Sequence, residues 1–321
     1  MISSSRFRPA GWLTNKHAQT IWPSVMRHSP SLELEWEHLE LPDNDFIDLV
    51  WTEANSGPIV IVLHGLEGNI HSHYAKGILS ALHNNGWQAV FMHFRGCSGK
   101  HNRRARGYHS GETGDLRFLI QTLHTRYPER KLSAVGFSLG GNALLKYLGE
   151  SKDEILLNAA VAVSVPFVLS NGADKLNQGF SKFYQWHLIK KLQHRISNKF
   201  KDRDDAPFSL NEIQSWNTFH LFDNYVTAPL HAFNNSDEYY SKCSSRQYLK
   251  FIEIPTLILH AEDDPFLTHD AIPQESDLSE YVTLELSSKG GHVGFINGKL
   301  PWYPHYWLDE RIPEFLHHYI I

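Results

Sequence analysis

Cysteine is almost missing: Cys97 and Cys243 are the only two in 321 residues, so the chain can form at most one bridge and cannot be a disulfide-stapled scaffold. Long apolar runs are missing too. The longest, 155–169, is interrupted by Asn158, Ser164 and Pro166 and falls short of the roughly 18 to 20 residues a membrane-spanning helix needs. There is no excess of positive charge: 30 Lys and Arg stand against 35 Asp and Glu, a net charge of -5, which leaves nothing to draw the chain to a nucleic acid backbone. The opening segment, Met1 to Pro9, has no apolar core of the secretory kind. With so few cysteines, the expectation is a cytoplasmic protein with reduced thiols. Internal repeats and low-complexity tracts are absent. What is abundant is apolar and aromatic material, 41% and 12%, enough for a sizeable core, and histidine, 21 residues without an immediate explanation.

Along the chain, residues 1–30 carry Pro9, Gly11, Trp12, Trp22 and Pro23 without periodicity and are expected to form an arm that packs by its aromatic rings. Alternation begins at Leu32 and slips phase between Trp36 and Leu39, which a bulge would absorb. The turn 42–45 then joins it to a second strand, so 32–51 is expected to be an antiparallel hairpin. After residue 57 the pattern changes to short β-branched runs, 59–63, 87–94, 132–137 and 159–165, of the kind buried on both faces of a parallel sheet. Leu116, Leu119, Ile120 and Leu123 form one apolar face of an intervening helix. Strand and helix alternate as in a doubly wound α/β sheet.

That rhythm stops at Phe167 and resumes with the run 254–259. A structureless loop of roughly 80 residues is improbable, so 167–250 is expected to be a helical cap inserted into the α/β core of 58–166 and 251–321, with 1–57 as the N-terminal arm and hairpin. A last strand near 281–286 and a closing helix over 308–320 complete the expectation.

The segment Gly136-Phe137-Ser138-Leu139-Gly140-Gly141 fits G-x-S-x-G and lies between a predicted strand and a predicted helix. A serine in so tight a turn needs glycine flanks, and its hydroxyl stands clear above the sheet. The alternative, a glycine-rich dinucleotide loop, requires G-x-G-x-x-G after the first buried strand. That strand ends instead in His64-Gly65-Leu66-Glu67-Gly68. His64 then belongs to a tight turn whose backbone N–H groups suit an oxyanion, and the N–H groups of Leu66 and Leu139 are the candidate donors.

A serine hydroxyl needs a histidine to take its proton and a carboxylate to hold that histidine. The strand before residue 260 runs into His260-Ala261-Glu262-Asp263-Asp264-Pro265, and the strand near 281–286 into Gly290-Gly291-His292-Val293-Gly294. Asp264, just before the proline, is the preferred acid, with Asp263 the neighbour to exclude. His292, flanked by glycines, is the base. Metal binding by His71, His73, His101, His109 and His124 finds no H-E-x-x-H and no cysteine spacing to support it, so neither metal nor cofactor is expected. Cys97 reads as a small buried residue, and Arg103, Arg104 and Arg106 as a solvated loop.

These segments, with Asn15 to Thr20, Phe94 to Gly99 and Tyr108 to Thr113, resemble the YheT-like branch of the α/β-hydrolases, which is related to the animal ABHD1/ABHD3 group. The resemblance spans residues 15–295. It implies a serine hydrolase with the relay Ser138, Asp264 and His292 and a small-molecule ester or lipid as substrate. Acylglycerol or phospholipid cleavage, acyl transfer, and a non-catalytic binding role on the same fold remain open, as does oligomeric state. The Tyr108 to Thr113 segment is expected to form a helix N-terminus near the site. The aromatic residues Phe180, Phe183, Tyr184, Trp186, Phe219, Phe222 and Tyr225 point either to an apolar acyl pocket or to the core of the cap itself.

Overall fold

The computed structural model describes residues 1–321, the side chain of Asp153 excepted. Its strands are β1 (Ile2–Ser4), β2 (Leu34–Glu40), β3 (Phe46–Thr52), β4 (Ile59–Leu63), β5 (Gln88–Met92), β6 (Leu132–Phe137), β7 (Ala159–Val163), β8 (Thr256–Ala261), β9 (Val282–Ser287), β10 (Ile296–Leu300) and β11 (Tyr303–Tyr306). Nine of them form one sheet in the order β1-β9-β8-β7-β6-β4-β5-β3-β2. Among the described residues its antiparallel pairings are β2 with β3 and β3 with β5, and the rest are parallel.

The five residues of β4 show why this sheet is two-sided. Ile59, Ile61 and Leu63 point into one hydrophobic cluster and Val60 and Val62 into another, and all five are fully buried. Helices α3 (Gly114–Arg126) and α4 (Leu139–Ser151) cover the first face. Helices α2 (Ala75–Asn84) and α10 (Leu308–Ile320) cover the second. Each such side chain contributes about 1.5–3 kcal/mol by burial, which is why a β-branched run without polar alternation specifies an interior parallel strand.

The N-terminal thirty residues differ from the expectation. Residues 2–4 add β1 to the sheet edge, parallel to β9, and Lys16–Met26 form a helix, α1, whose start is capped by the Asn15 side chain. Aromatic packing is present, with Trp12 edge-on to Trp22, but it accompanies regular structure. The expected bulge in the hairpin is also absent: β2 and β3 pair in continuous register from Leu34 opposite Thr52 to Glu40 opposite Phe46. The phase slip arises because β2 places Leu39 in one hydrophobic cluster while Leu34 packs against the other, and exposed Trp36 stacks on His93. Nor is β9 the last strand, since β10 and β11 form a separate two-stranded sheet before α10.

Between β7 and β8 the chain is helical: α5 (Leu169–Leu176), α6 (Ser181–Phe200), α7 (Phe219–Phe222), α8 (Ala228–Leu230) and α9 (Ser236–Cys243). A π-helical turn, Asp223–Thr227, joins α7 to α8. These helices share their own hydrophobic cluster, centred on Leu176, Ile189, Leu192, Phe222 and Tyr240. Among the described residues no helix is long and apolar enough to cross a membrane.

Candidate active site

Ser138 occupies the turn from β6 into α4 with φ +51° and ψ -116°, a left-handed conformation that a non-glycine residue adopts only under constraint. The constraint is steric. A Cβ on Gly136 would lie 2.5 Å from the Gly140 carbonyl oxygen, and one on Gly140 would lie 2.6 Å from the His64 carbonyl oxygen. The backbone N–H of Ser138 donates to the Val163 carbonyl at 2.8 Å, fastening the turn to β7.

His292 follows β9, and its Nε2 lies 2.9 Å from Ser138 Oγ while its Nδ1 lies 2.8 Å from Asp264 Oδ2. Asp264 is buried, and its other oxygen accepts the Phe266 N–H at 2.8 Å. Its neighbour Asp263 faces elsewhere, accepting the N–H of Gly291 at 3.0 Å, and burial raises its pKa. The histidine loop is held at two more points: His292 N–H donates to Thr20 Oγ1 at 2.9 Å and Val293 N–H to Ser164 Oγ at 3.0 Å. Phe266 lies flat on the imidazole. Neither Ser164 nor Phe266 lies in a motif, and the Asn15 to Thr20 segment that carries the resemblance gives no sign of what Thr20 holds. Thr20 comes from α1, whose role was invisible without the helix.

The loop after β4 brings Leu66 to the serine. A Cβ on Gly65 would meet Ser138 Cβ at 3.2 Å, so the backbone there passes directly beside the hydroxyl. Leu139 opens α4, which leaves its N–H without an intrahelical partner. Among the described residues the Leu66 N–H has no acceptor within the protein. His64 pins this loop from below. It is fully buried, and desolvation pulls its pKa down to about 3, so the ring is neutral. Its Nε2 accepts the Phe94 N–H at 3.1 Å, which leaves Nδ1 to donate to the Gly65 carbonyl at 2.7 Å.

Tyr108 to Thr113 precedes α3, yet its contacts show it to be a clamp more than a helix terminus. The Tyr108 hydroxyl accepts the Glu67 N–H and donates to the Glu67 carboxylate, both at 2.8 Å, and Arg195 of α6 donates to the same carboxylate at 2.8 Å. The Ser110 N–H donates to Tyr239 Oη, and Asn142 of α4 donates to the Ser110 carbonyl. A Cβ on Gly111 would lie 2.5 Å from Cys243 Sγ. One short segment thus ties the loop after β4, the elbow helix and the helical insertion together.

Arg95 is structural, buried among Asp43, Asp45 and Asp115, which together hold its guanidinium charged. Cys97 is buried, and desolvation pushes its thiol up to about 12, too high for a nucleophile. Arg103 pairs with Glu40 on the surface, and Arg106 pairs with Glu112. Of the histidines weighed for a metal, only His109 belongs to a convergent group, with Glu112 and His231, whose ligand atoms lie within 4.8 Å of one another. Burial keeps His109 and His231 neutral, with pKa values down to about 3 and about 2. The Glu112 carboxylate is already engaged by the Arg106 guanidinium.

Ser138 stands between two hollows. One, about 120 Å³, lies beneath the insertion and is walled by Leu139, Ala173, Leu176, Leu192, Phe219 and Phe222 among others. The second is an open cleft of about 600 Å³ between α1 and α6, lined by Thr20, Arg27, His187, Lys191 and His292. Of the seven aromatic residues expected to form a pocket or a cap core, Phe219 and Phe222 line the hollow and Tyr184 the cleft. Phe183 also lines the cleft while standing half-exposed, and Phe180, Trp186 and Tyr225 are exposed without lining either space.

A serine on a strand-to-helix elbow of a mostly parallel sheet, with a histidine and an aspartate on later strand ends, defines an α/β-hydrolase. The family model for the alpha/beta hydrolase fold matches residues 58–299, and the chain belongs to that family. It is 40% identical to YheT of Escherichia coli over 99% of this chain and 95% of that protein. It is 31% identical to the monoacylglycerol lipase of Saccharomyces cerevisiae over 75% of this chain and 56% of that one. Human phospholipase ABHD3 is 26% identical over 98% of this chain and 79% of its own. Among solved structures, an esterase of Pyrococcus furiosus superposes with a TM-score of 0.60 at 18% identity, covering 99% of this chain and all of that one, a likeness of fold. Within the family the chain is an enzyme of the ester-hydrolysing kind.

Proposed function

We propose that this chain hydrolyses carboxylic esters of lipid-like acids through an acyl-enzyme on Ser138. The observation that carries the reading is the continuous hydrogen-bonded line from Ser138 Oγ through His292 to Asp264 at 2.9 and 2.8 Å. In the first half-reaction His292 Nε2 takes the Ser138 proton as Oγ bonds to the ester carbonyl carbon. The carbonyl oxygen, now anionic, is held by the N–H groups of Leu66 and Leu139, each such donor lowering the barrier by about 3 kcal/mol. The C–O bond to the alcohol breaks, and the leaving oxygen takes the proton from His292. Water then gives its proton to His292 and its oxygen to the acyl carbon, and Ser138 leaves with that proton. Asp264 keeps Nδ1–H oriented, so that Nε2 is the basic nitrogen.

The two hollows have different parts in this scheme. The leaving oxygen must reach His292, and His292 lines the open cleft and not the apolar hollow. The alcohol portion therefore belongs in the cleft, and the acyl chain beneath the helical insertion. In this reading residues 167–250 are a cap that selects the acyl group, over a core of 58–166 and 251–321. The names of the yeast and human relatives, a monoacylglycerol lipase and a phospholipase, support a lipid ester as the substrate. The test is a panel of soluble esters from acetyl to long acyl chains, assayed with wild-type protein and Ser138→Ala. Hydrolysis favouring medium chains and abolished in the variant is expected, and turnover confined to acetyl esters contradicts the acyl assignment. Including a second alcohol in the assay separates hydrolysis from acyl transfer by the products formed.

A further inference from the structure

The charge of this chain is unevenly placed. Residues 175–201 hold seven Lys and Arg and no Asp or Glu, so the remainder carries 23 basic against 35 acidic residues, a net of -12. The positive segment includes the whole of α6. Its outer face also carries large apolar side chains that stand about half exposed. Phe180, Phe183 and Trp186 are 54%, 50% and 57% exposed. They are contiguous, with ring centroids 5.9 Å apart between Phe180 and Phe183 and 6.0 Å between Phe183 and Trp186. Lys182, Lys190 and Lys191 are exposed on the same helix.

Cationic side chains beside exposed Trp and Phe on a helix that lies along the surface are the combination that settles at an anionic lipid interface: rings among the upper acyl chains, ammonium groups among the head groups. The placement adds a second observation. Phe183, His187 and Lys191 line the open cleft that leads to Ser138, and α1 forms its opposite wall. On the α1 side, Val25 and Met26 are exposed next to the cleft residues Ser24 and Arg27. Phe180 packs on His17 of α1, with ring centroids 4.4 Å apart, so the apolar rim continues from one wall to the other. Apolar side chains thus border the mouth of the hollow assigned to the leaving group, on a molecule otherwise negative.

We propose that the outer face of α6 docks on an anionic lipid bilayer and holds the mouth of the active-site cleft against it. The charge alone would suit an acidic protein surface, but the exposed aromatic cluster also needs an apolar phase to enter, and an anionic bilayer offers both. The proposal rests on the lipid-ester reading for its purpose, but binding needs no turnover. It can therefore fail while that reading stands, and the reverse.

The experiment is co-sedimentation of Ser138→Ala protein with vesicles of phosphatidylcholine alone and of phosphatidylcholine with 30 mol% phosphatidylglycerol, at low salt and at 0.5 M NaCl. Two double variants are compared, Phe180→Ser/Trp186→Ser and Lys182→Glu/Lys190→Glu, none of which lines either hollow. In an otherwise wild-type background both should keep their hydrolysis of a soluble short-chain ester, which shows that they fold. Anionic vesicles should bind the parent protein and salt should weaken the binding. The lysine pair should lose roughly tenfold or more in partitioning, and the aromatic pair a loss of about the same order. No binding to anionic vesicles at low salt overturns the proposal, as does binding that neither variant weakens. So does a concentration-dependent dimer that Phe180→Ser/Trp186→Ser abolishes in the absence of vesicle binding, which would make this face an interface between copies.

Discussion

Phe266 stacks face to face on the imidazole of His292, with ring centroids 3.8 Å apart and planes 2° from parallel. Its own N–H donates to Asp264 Oδ1, so the residue holds the carboxylate by its backbone and the imidazole by its side chain. Phe266→Ala leaves the backbone bond and removes the stack. The expected result is a fall in kcat of roughly ten- to hundredfold through loss of ring orientation, with Phe266→Tyr close to wild type. Steady-state kinetics on a soluble ester reads both, and an alanine variant changed only in KM would make Phe266 a mere wall of the cleft.

Adjacent carboxylates in one loop divide their tasks by direction. Asp264 meets His292 Nδ1, whereas Asp263 meets the Gly291 N–H. Asp264→Asn allows the wrong tautomer and should lower kcat by on the order of 10⁴-fold. Asp263→Asn keeps an acceptor oxygen for Gly291 and should stay within about tenfold of wild type. Equal losses in the two variants would show that the relay does not run through Asp264 alone.

Asp223, in the π-turn of the insertion, accepts hydrogen bonds from Thr227 Oγ1 at 2.7 Å and Tyr240 Oη at 2.8 Å. Burial is the larger influence and raises its pKa from the ordinary 3.8 to about 6. The folded state therefore holds a proton that the unfolded chain releases between those values. The stability this confers is full below pH 3.8 and is lost as the pH rises through about 6. Relative to Asp223→Asn, wild-type protein should lose roughly 2–2.5 kcal/mol between pH 4 and pH 7. Urea unfolding of both proteins at the two pH values measures the difference, and a gap independent of pH would contradict the buried carboxyl.

Much of this architecture is legible in the chain because burial leaves a local trace. The runs Ile59–Leu63 and Leu132–Phe137 are apolar or small throughout, since both faces of their strands are covered. The elbow is legible because glycine is required where a Cβ would strike the neighbouring strand. What escapes is held by distant partners. Three residues of β1 have no pattern of their own, and their register comes from β9, some 280 positions away. Helix α1 is masked by Pro23 and two tryptophans nearby, yet it supplies the Thr20 hydroxyl that fixes the His292 backbone. Ser138, Asp264 and His292 could be assigned to three strand ends, but the choice between Asp263 and Asp264 depends on a carboxylate direction that no spacing encodes.

Ala173 lies on α5 with its side chain in the apolar hollow. Ala173→Phe fills part of that space and should move the preferred ester toward shorter acyl chains, with acetyl and propionyl esters little affected. The ratio of kcat/KM between octanoyl and propionyl esters is the readout. An unchanged ratio would place the acyl chain elsewhere.

The central claim is that Ser138, activated by His292, is the nucleophile. A fluorophosphonate probe followed by intact-mass and peptide mass spectrometry tests it without any assumption about substrate. The expected result is a single adduct on Ser138 of the wild-type protein and none on a folded Ser138→Ala variant. An unlabelled wild-type protein, or an adduct that persists in Ser138→Ala, would contradict the account.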